Sequence, residues 1–246
     1  MRLYMNASEM YEEVKRDLAE MGIEVHPKTM QDKNIEGNPD YYTKELQNYS
    51  YSLLIPSFTD IAGAMPVNKE WADAEFAERI TDPFNRQVTY GTGAHPFYPV
   101  NPGEAYKIRE EIWNDYLDAS GKFAYTYNER IWQNDQLTKL INRLSEDHDS
   151  RQIWLSIWDP NRDTDKLGGI SRVPCSLGYD FQIREGKLNM HYVMRSCDFV
   201  THFSNDVYLA VRLLFWVAAK IGVEVGTFTH TMFSLHVYNK DIQGVF

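Results

Sequence analysis

Residues 206–221, DVYLAVRLLFWVAAKI, carry charge only at Asp206, Arg212 and Lys220. The rest are helix formers or apolar residues placed all round the helical wheel, so a helix here has to be covered on most of its sides. The run is too short for the ~18–20 residues that span a bilayer. The segment is therefore predicted to be a buried central helix ending at Gly222, and the rest of the chain has to enclose it. Hydrophobic residues make up 43% and aromatic residues 14% of the chain. That supply can close a core and excludes a disordered or low-complexity protein.

The covering elements are legible around it. TFTHTMFSLHVY at 227–238 is β-branched and aromatic enough for a long strand. Residues 178–184 and 188–195 suggest a hairpin around Glu185-Gly186, with Leu188, Met190, Tyr192 and Met194 alternating against polar neighbours. QIWLSIW at 152–158 reads as a strand. Helical spacing covers 8–21, with Ser8 as N-cap, Tyr11, Val14, Leu18 and Met21 as the apolar stripe, and Gly22 as the stop. It recurs at 105–118 and 134–145. A short segment over 40–51 contains Glu45. Residues 56–102 hold six of the ten prolines and are predicted to be loops forming a lid or insertion. With no repeat and no linker, the expectation is one α+β domain over 1–246.

Lys and Arg number 25 against 35 Asp and Glu, a net charge of −10. That argues against a broad nucleic-acid surface, while a small phosphate pocket stays possible. The N-terminus lacks the apolar stretch of a signal peptide, no membrane-length run occurs, and the two cysteines, Cys175 and Cys197, make no disulfide framework. A cytoplasmic protein is expected. No His-x-x-x-His, Cys-x-x-Cys or Glu-x-x-His pattern suggests a metal, GTGAH at 91–95 fits neither nucleotide fingerprint, and no G-x-S-x-G elbow is present.

Taken singly, the polar residues near the C-terminal half have plain explanations. Cys175, after Pro174, can be a small buried hydrophobe. Asp206 at a helix start can be a cap. His236 in a strand can be a satisfied core residue. Arg195-Ser196-Cys197-Asp198, Asn205-Asp206 and His236-x-Tyr238 nevertheless form one dense polar group downstream of Cys175.

As an ordered set, Pro174-Cys175, Arg195-Ser196-x-Asp198, an acid at 206 and His236-x-Tyr238 resemble the thymidylate synthase family. HDSRQ at 148–152 resembles its arginine segment, with Arg151 in place and Gln152 where a second Arg is usual. NPDYYTKEL at 38–46 resembles the segment carrying the proton-handling glutamate, here Glu45, and Tyr127 in AYTYNERIW resembles the active-site tyrosine. Lys28 falls where the N-terminal phosphate loop is expected. The resemblance implies a mixed β-sheet packed with helices, a homodimer with shared sites, 5,10-methylenetetrahydrofolate as co-substrate and no metal. Cys175 is then the nucleophile. Arg195, Ser196, Lys28 and the partner's copy of Arg151 hold the 5′-phosphate of a pyrimidine deoxynucleoside monophosphate. His236 and Tyr238 hold the sugar, and Asp198 faces the folate. No direct nucleic-acid or membrane contact is implied.

Position 206 departs from the synthases, which carry asparagine there to read uracil. A carboxylate only accepts hydrogen bonds, so Asp206 suits the exocyclic amine and protonatable N3 of cytosine. Asn205-Asp206 and SLHVY at 234–238 resemble phage deoxycytidylate hydroxymethylases, and Ser176 departs in the same direction. The alternative leaves Asp206 as a cap and Asn205 as the base reader. Asp180, where glutamine is usual, and His202, where glycine is usual, are further departures. The sequence ends at Phe246, eight residues after Tyr238. The resemblance implies a further closing segment, and without one a wetter site favours capture of the one-carbon unit by water over hydride. Hydroxymethylation of dCMP is the expected activity. The alternatives are a dUMP-directed synthase, a cytidylate C5-methylase and a silent nucleotide-binding homologue.

Overall fold

The structure is a computed structural model that describes residues 1–31, 33–55, 57–82, 116–167 and 171–246. Its strands are β1 (Arg2–Tyr4), β2 (Ile23–Val25), β3 (Thr29–Met30), β4 (Lys33–Asn34), β5 (Thr43–Leu54), β6 (Trp154–Ser156), β7 (Ser176–Arg184), β8 (Lys187–Met194), β9 (Cys197–Asp198) and β10 (Glu224–Tyr238). Its α-helices are α1 (Ala7–Met21), α2 (Thr59–Ala62), α3 (Lys69–Arg79), α4 (Tyr127–Trp132), α5 (Gln136–Glu146), α6 (Pro160–Asp163), α7 (Ser204–Ile221) and α8 (Asn239–Ile242).

The apolar segment forms α7, preceded by a π-helical turn over Phe199–Phe203. Val207, Leu209, Leu213, Leu214 and Val217 are almost wholly excluded from solvent. Each such side chain contributes ~1.5–3 kcal/mol. Gly222 stops the helix at φ +78°, and the amides of Gly222 and Val223 both donate to the Ala218 carbonyl.

Among the described residues the main sheet has the order β1-β5-β10-β8-β7-β6, with β2 on β5 and β9 on β10. The connection from β8 through α7 to β10 makes those two strands parallel, whereas β7 runs antiparallel to β8. The C-terminal ends of β8 and β10 and the N-terminal end of β7 therefore meet at one edge of the sheet. One cross-strand row, Tyr4, Leu53, Phe228, Met190 and Phe181, faces the helices and is buried. The adjacent row, Leu3, Ser52, Thr229, His191, Asp180 and Trp154, lies on the opposite face, where Leu3 and Trp154 are 61% and 47% exposed. A Cβ at Gly178 would lie 2.5 Å from the Leu155 carbonyl, so glycine is what lets β6 close on β7.

Several expectations change. Asn6, not Ser8, caps α1, its Oδ1 accepting from the amides of Ser8 and Glu9, and Met21 is exposed while Met10 takes the buried place. The segment around Glu45 is a twelve-residue strand. The stretch expected to be loops contains α3, because Trp71, Ala72 and Phe76 give one face to bury and Asn68 caps the start. The strand expected over 152–158 is only Trp154–Ser156. The helix expected over 105–118 lies, up to residue 115, outside the described residues, as do 83–102 of the expected lid.

His230, at the centre of β10, is fully buried and stacks on Tyr192 at 4.9 Å, with Tyr179 stacked on Tyr192 at 4.6 Å. Its Nδ1 lies 3.2 Å from the Tyr51 hydroxyl. Burial depresses its pKa from 6.5 to about 3. The unfolded chain takes this proton near the ordinary histidine value, so stability is full above ~6.5 and is lost as pH falls towards ~3. His230→Phe is expected to keep the stack and remove about 2 kcal/mol of the stability loss between about pH 8 and pH 5, read from urea unfolding midpoints at both pH values.

Candidate active site

Cys175 sits immediately before β7, and its carbonyl accepts from the Arg195 amide at 2.8 Å. The Arg195 guanidinium returns across the same gap. Nε donates to the Pro174 carbonyl at 2.8 Å, and Nη2 donates to Val173 at 3.1 Å while standing 3.7 Å from the Cys175 sulfur. One arginine thus fixes the loop and faces the thiol. Burial pushes that thiol up from its usual value, Arg195 pulls it back, and Asp206 pushes it up again. The lowered thiol expected of a nucleophile is therefore not present in the unliganded cavity, because the sulfur is desolvated beside a carboxylate.

The cavity around it encloses about 280 Å³. Of the residues singled out from sequence, it brings together Tyr127, Cys175, Arg195, Ser196, Asp198, Asp206, His236 and Tyr238. Each arrives for a local reason. Thr126 and Glu129 form a capping box at the start of α4, which places Tyr127 at the mouth. Arg130, one turn on, makes a fully buried 2.7 Å ion pair with Asp163 and ties α4 to α6. Asp198 lies beside His236 where β9 pairs with β10. Its Oδ1 accepts from the amides of Val200 at 3.0 Å and Thr201 at 3.3 Å. Asp198 is therefore the cap of the helical run that continues into α7. Asp206, in the first turn of α7, is not a cap and lines the cavity. His236 is buried, which pushes its pKa down against the pull of Asp198 and Glu45. Tyr238 packs edge-on against it at 5.2 Å.

Four expected residues lie outside the lining. Glu45 pairs with His236 in register, and the Ser234 hydroxyl donates to its Oε2 at 2.5 Å while lying 3.3 Å from His236 Nδ1, so Glu45 reaches the cavity only through that relay. Asn205 is buried and turned away. Its Oδ1 accepts from the Asn68 amide at 3.0 Å, and it thus holds the start of α3. Lys28 is exposed and paired with Glu36 at 2.8 Å, although the next three residues, Thr29, Met30 and Gln31, do line the cavity. Arg151 is exposed in the turn before β6.

Sequence reading missed Arg172, Tyr125 and Lys240 in the lining. The Arg172 guanidinium stands 4.9 Å over the Tyr116 ring and 5.5 Å over Tyr125. The signal for it was its place three residues before Cys175. Also missed is Glu75 on α3, raised to about 7 by burial against the pull of Arg79, whose guanidinium stands 4.5 Å over the Tyr127 ring. Among the described residues no cluster of three His, Cys, Asp or Glu can hold a metal, and no helix is long and apolar enough to cross a membrane.

A thiol between strand ends, an arginine clasp, an aspartate cap and a His-x-Tyr strand end thus share one cavity at the end of a mixed sheet. A profile of the thymidylate synthase family matches residues 104–246, more than half of the chain, and the chain belongs to that family. A Methanosarcina acetivorans protein named "Putative thymidylate synthase" is 37% identical over 123 residues, covering 48% of this chain and 55% of that protein. One of the same name from Methanothermobacter thermautotrophicus is 40% identical over 159 residues, covering 58% of this chain and 69% of that protein. The chain spans about half the length of the Methanosarcina relatives it matches. The thermostable thymidylate synthase A of Bacillus subtilis superposes with a TM-score of 0.72 at 16% identity, over 98% of this chain and 83% of that one, which establishes the shared fold.

The two charges flanking the sulfur give opposite expectations. Arg195→Gln is expected to raise the apparent pKa of Cys175 and Asp206→Asn to lower it, each by about one unit. The check is the pH dependence of iodoacetamide alkylation at Cys175. Cys197, 2% exposed, serves as the unreactive internal control.

Proposed function

We propose that the chain is a folate-dependent deoxycytidylate 5-hydroxymethyltransferase. The observation that carries this reading is Asp206 in the lining beside Cys175, with the capping role taken by Asp198 and with Asn205 committed to Asn68. An ionised carboxylate at the base-reading position accepts from the cytosine amine and from a protonated N3, whereas uracil O4 would meet it lone pair to lone pair. Once a bound base covers it, leaving such an acceptor unpaired costs ~1–3 kcal/mol, more when it is charged.

The chain's own residues then divide the work. The Cys175 thiolate adds to C6 of the base, which breaks the ring's aromaticity and makes C5 nucleophilic. Pairing of cytosine with Asp206 offsets the carboxylate that opposes thiolate formation, so recognition of the base and activation of the sulfur are coupled. Ser196 and the cavity cations Arg195, Arg172 and Lys240 suit a 5′-phosphate. His236, held neutral by burial, and Tyr238 suit a sugar hydroxyl. The rings of Tyr125 and Tyr127, which share the lining with Asp198, suit a flat heterocycle with polar edges, and methylenetetrahydrofolate bound there would supply the one-carbon unit. Glu45 acts through Ser234 and His236, where it can pass a proton without touching the base.

A homodimer fits the open face of the sheet. Ser50 and Thr231 hydroxyls lie 2.8 Å apart, as do Ser52 and Thr229, and His191 Nε2 lies 2.8 Å from Thr231 Oγ1. The row's polar groups are satisfied internally while Leu3, Trp154 and Phe233 stay exposed. A second copy of the chain would cover them and bring its Arg151 to this chain's phosphate. The expected outcome is a dimer by light scattering, with Arg151→Ala and Cys175→Ser chains each inactive alone and active on mixing, one working site per heterodimer. Absence of complementation removes the shared site.

Substrate choice is tested at position 206. Asp206→Asn is expected to lower kcat/KM for dCMP relative to dUMP by about 10²-fold, ~2.7 kcal/mol of discrimination, with most of the dCMP loss in kcat. Unchanged preference, with only a lowered melting temperature, would return uracil as the substrate.

A further inference from the structure

A neutral imidazole carries its single proton on Nδ1 or on Nε2, and the bare nitrogen only accepts. Which nitrogen is bare decides what a ligand must bring. For His236 the neighbours make that choice. Its strand lies between Glu45 of β5 and Asp198 of β9, both in register with it. Tyr238 packs edge-on at 5.2 Å and holds the plane of the ring. Burial, aided by the Arg195 charge, lowers its pKa and keeps the ring neutral. Asp198, Glu45 and a hydrogen bond to the Ser234 backbone pull the other way.

We propose that Glu45 and Ser234 fix His236 as the Nδ1–H tautomer, which leaves Nε2 as an acceptor reserved for a donor group of the ligand. The Ser234 hydroxyl has one proton, and Glu45 takes it. Oγ donates to Glu45 Oε2 at 2.5 Å, while Gln47 Nε2 donates to Oε1 at 3.5 Å, so both carboxylate oxygens serve as acceptors. With its proton spent, Ser234 Oγ turns a lone pair to His236 Nδ1, 3.3 Å away. A bare Nδ1 would meet it lone pair to lone pair, so Nδ1 carries the ring proton. The donors then run one way, from His236 to Ser234 to Glu45.

The carboxylate on the other side does not compete for that proton. Asp198 Oδ1 accepts from the amides of Val200 and Thr201, and among the described residues no hydrogen bond joins Asp198 to the ring. His236 lines the cavity, whereas Glu45 and Ser234 do not. They are positioning residues, acting on a ligand only through the ring they orient. The proposal rests on the nucleotide reading of the site only for the identity of that ligand. A deoxynucleoside 5′-monophosphate has one free sugar hydroxyl, at the 3′ carbon, and it can donate to Nε2. A 3′-fluoro sugar offers only an acceptor there. The relay thus selects for a free sugar hydroxyl.

The test is nitrogen NMR on the full chain labelled at histidine, with His236→Asn to assign the signal. The expected result at about pH 8 is a protonated Nδ1 and a bare Nε2. Glu45→Gln presents an amide that donates to Ser234 Oγ, which releases the hydroxyl proton towards Nδ1 and moves the ring proton to Nε2. Ser234→Ala removes the acceptor and gives a mixture of tautomers. Calorimetry then compares dCMP with its 3′-fluoro-3′-deoxy analogue. The wild-type chain is expected to bind dCMP about 10-fold more tightly, and both variants to bring that ratio to about 2-fold or less. A bare Nδ1 in the wild type, or an unchanged tautomer in both variants, overturns the role of Glu45 and Ser234. Equal wild-type binding of the two nucleotides, or a preference unmoved by the change of tautomer, overturns the selection at Nε2. A wild-type chain with the expected tautomer that binds neither nucleotide overturns the nucleotide reading instead and leaves the relay standing.

Discussion

Arg195 is the joint on which the site depends. Its amide and guanidinium reach residues 173–175 in three hydrogen bonds, and its carbonyl accepts from the Ser234 amide at 3.2 Å. One residue thereby ties the loop before β7, the end of β8 and the middle of β10 into a single edge. A lysine has one point of charge and no rigid fork, so it cannot span the two carbonyls and still face the sulfur. Much of the guanidinium's donor capacity is spent on protein carbonyls, which makes it an architectural group first and an anion contact second.

Asp206 is the opposing element. Its charge pushes up the thiols of Cys175 and Cys197 and also the hydroxyls of Tyr179 and Tyr192, whose larger shift comes from burial itself. A carboxylate in this setting disfavours the Cys175 thiolate. A ligand that donates to Asp206 removes that restraint. On the proposed reading, the thiol becomes reactive chiefly when the matching base is present, which limits its side reactions.

What the sequence showed best were the elements with one strong periodic signal. The hairpin at Glu185-Gly186 appeared where expected because two positive-φ residues match the twist of flanking strands, and both have φ above +50°. The apolar stretch became α7 within two residues at its start. The strand through Glu45 was harder to see because Lys44, Gln47 and Asn48 dilute its alternation, and its burial is decided by neighbours far away in sequence. Helix α3 was hidden by the prolines around it, its own apolar face being only Trp71, Ala72 and Phe76. In the site, motif residues on strand ends converged because strand direction is set by topology. Arg172 and Glu75 escaped because a cation between aromatic rings and a carboxyl raised by burial have no spacing rule.

The π turn over Phe199–Phe203 has a consequence for how such a chain can diverge. Each residue turns an α-helix by ~100°, so a single insertion or deletion in a buried helix would normally rotate everything beyond it out of its packing. A π turn is a place where one residue has been absorbed without that rotation. Removing one residue between Asp198 and Phe203 would leave the eighteen-residue α7 seated on the sheet while turning the cap and the cavity-lining side chains relative to it. The cavity wall can thus be re-aimed by a change in length rather than by a change in side chain, at little cost to the core that holds it.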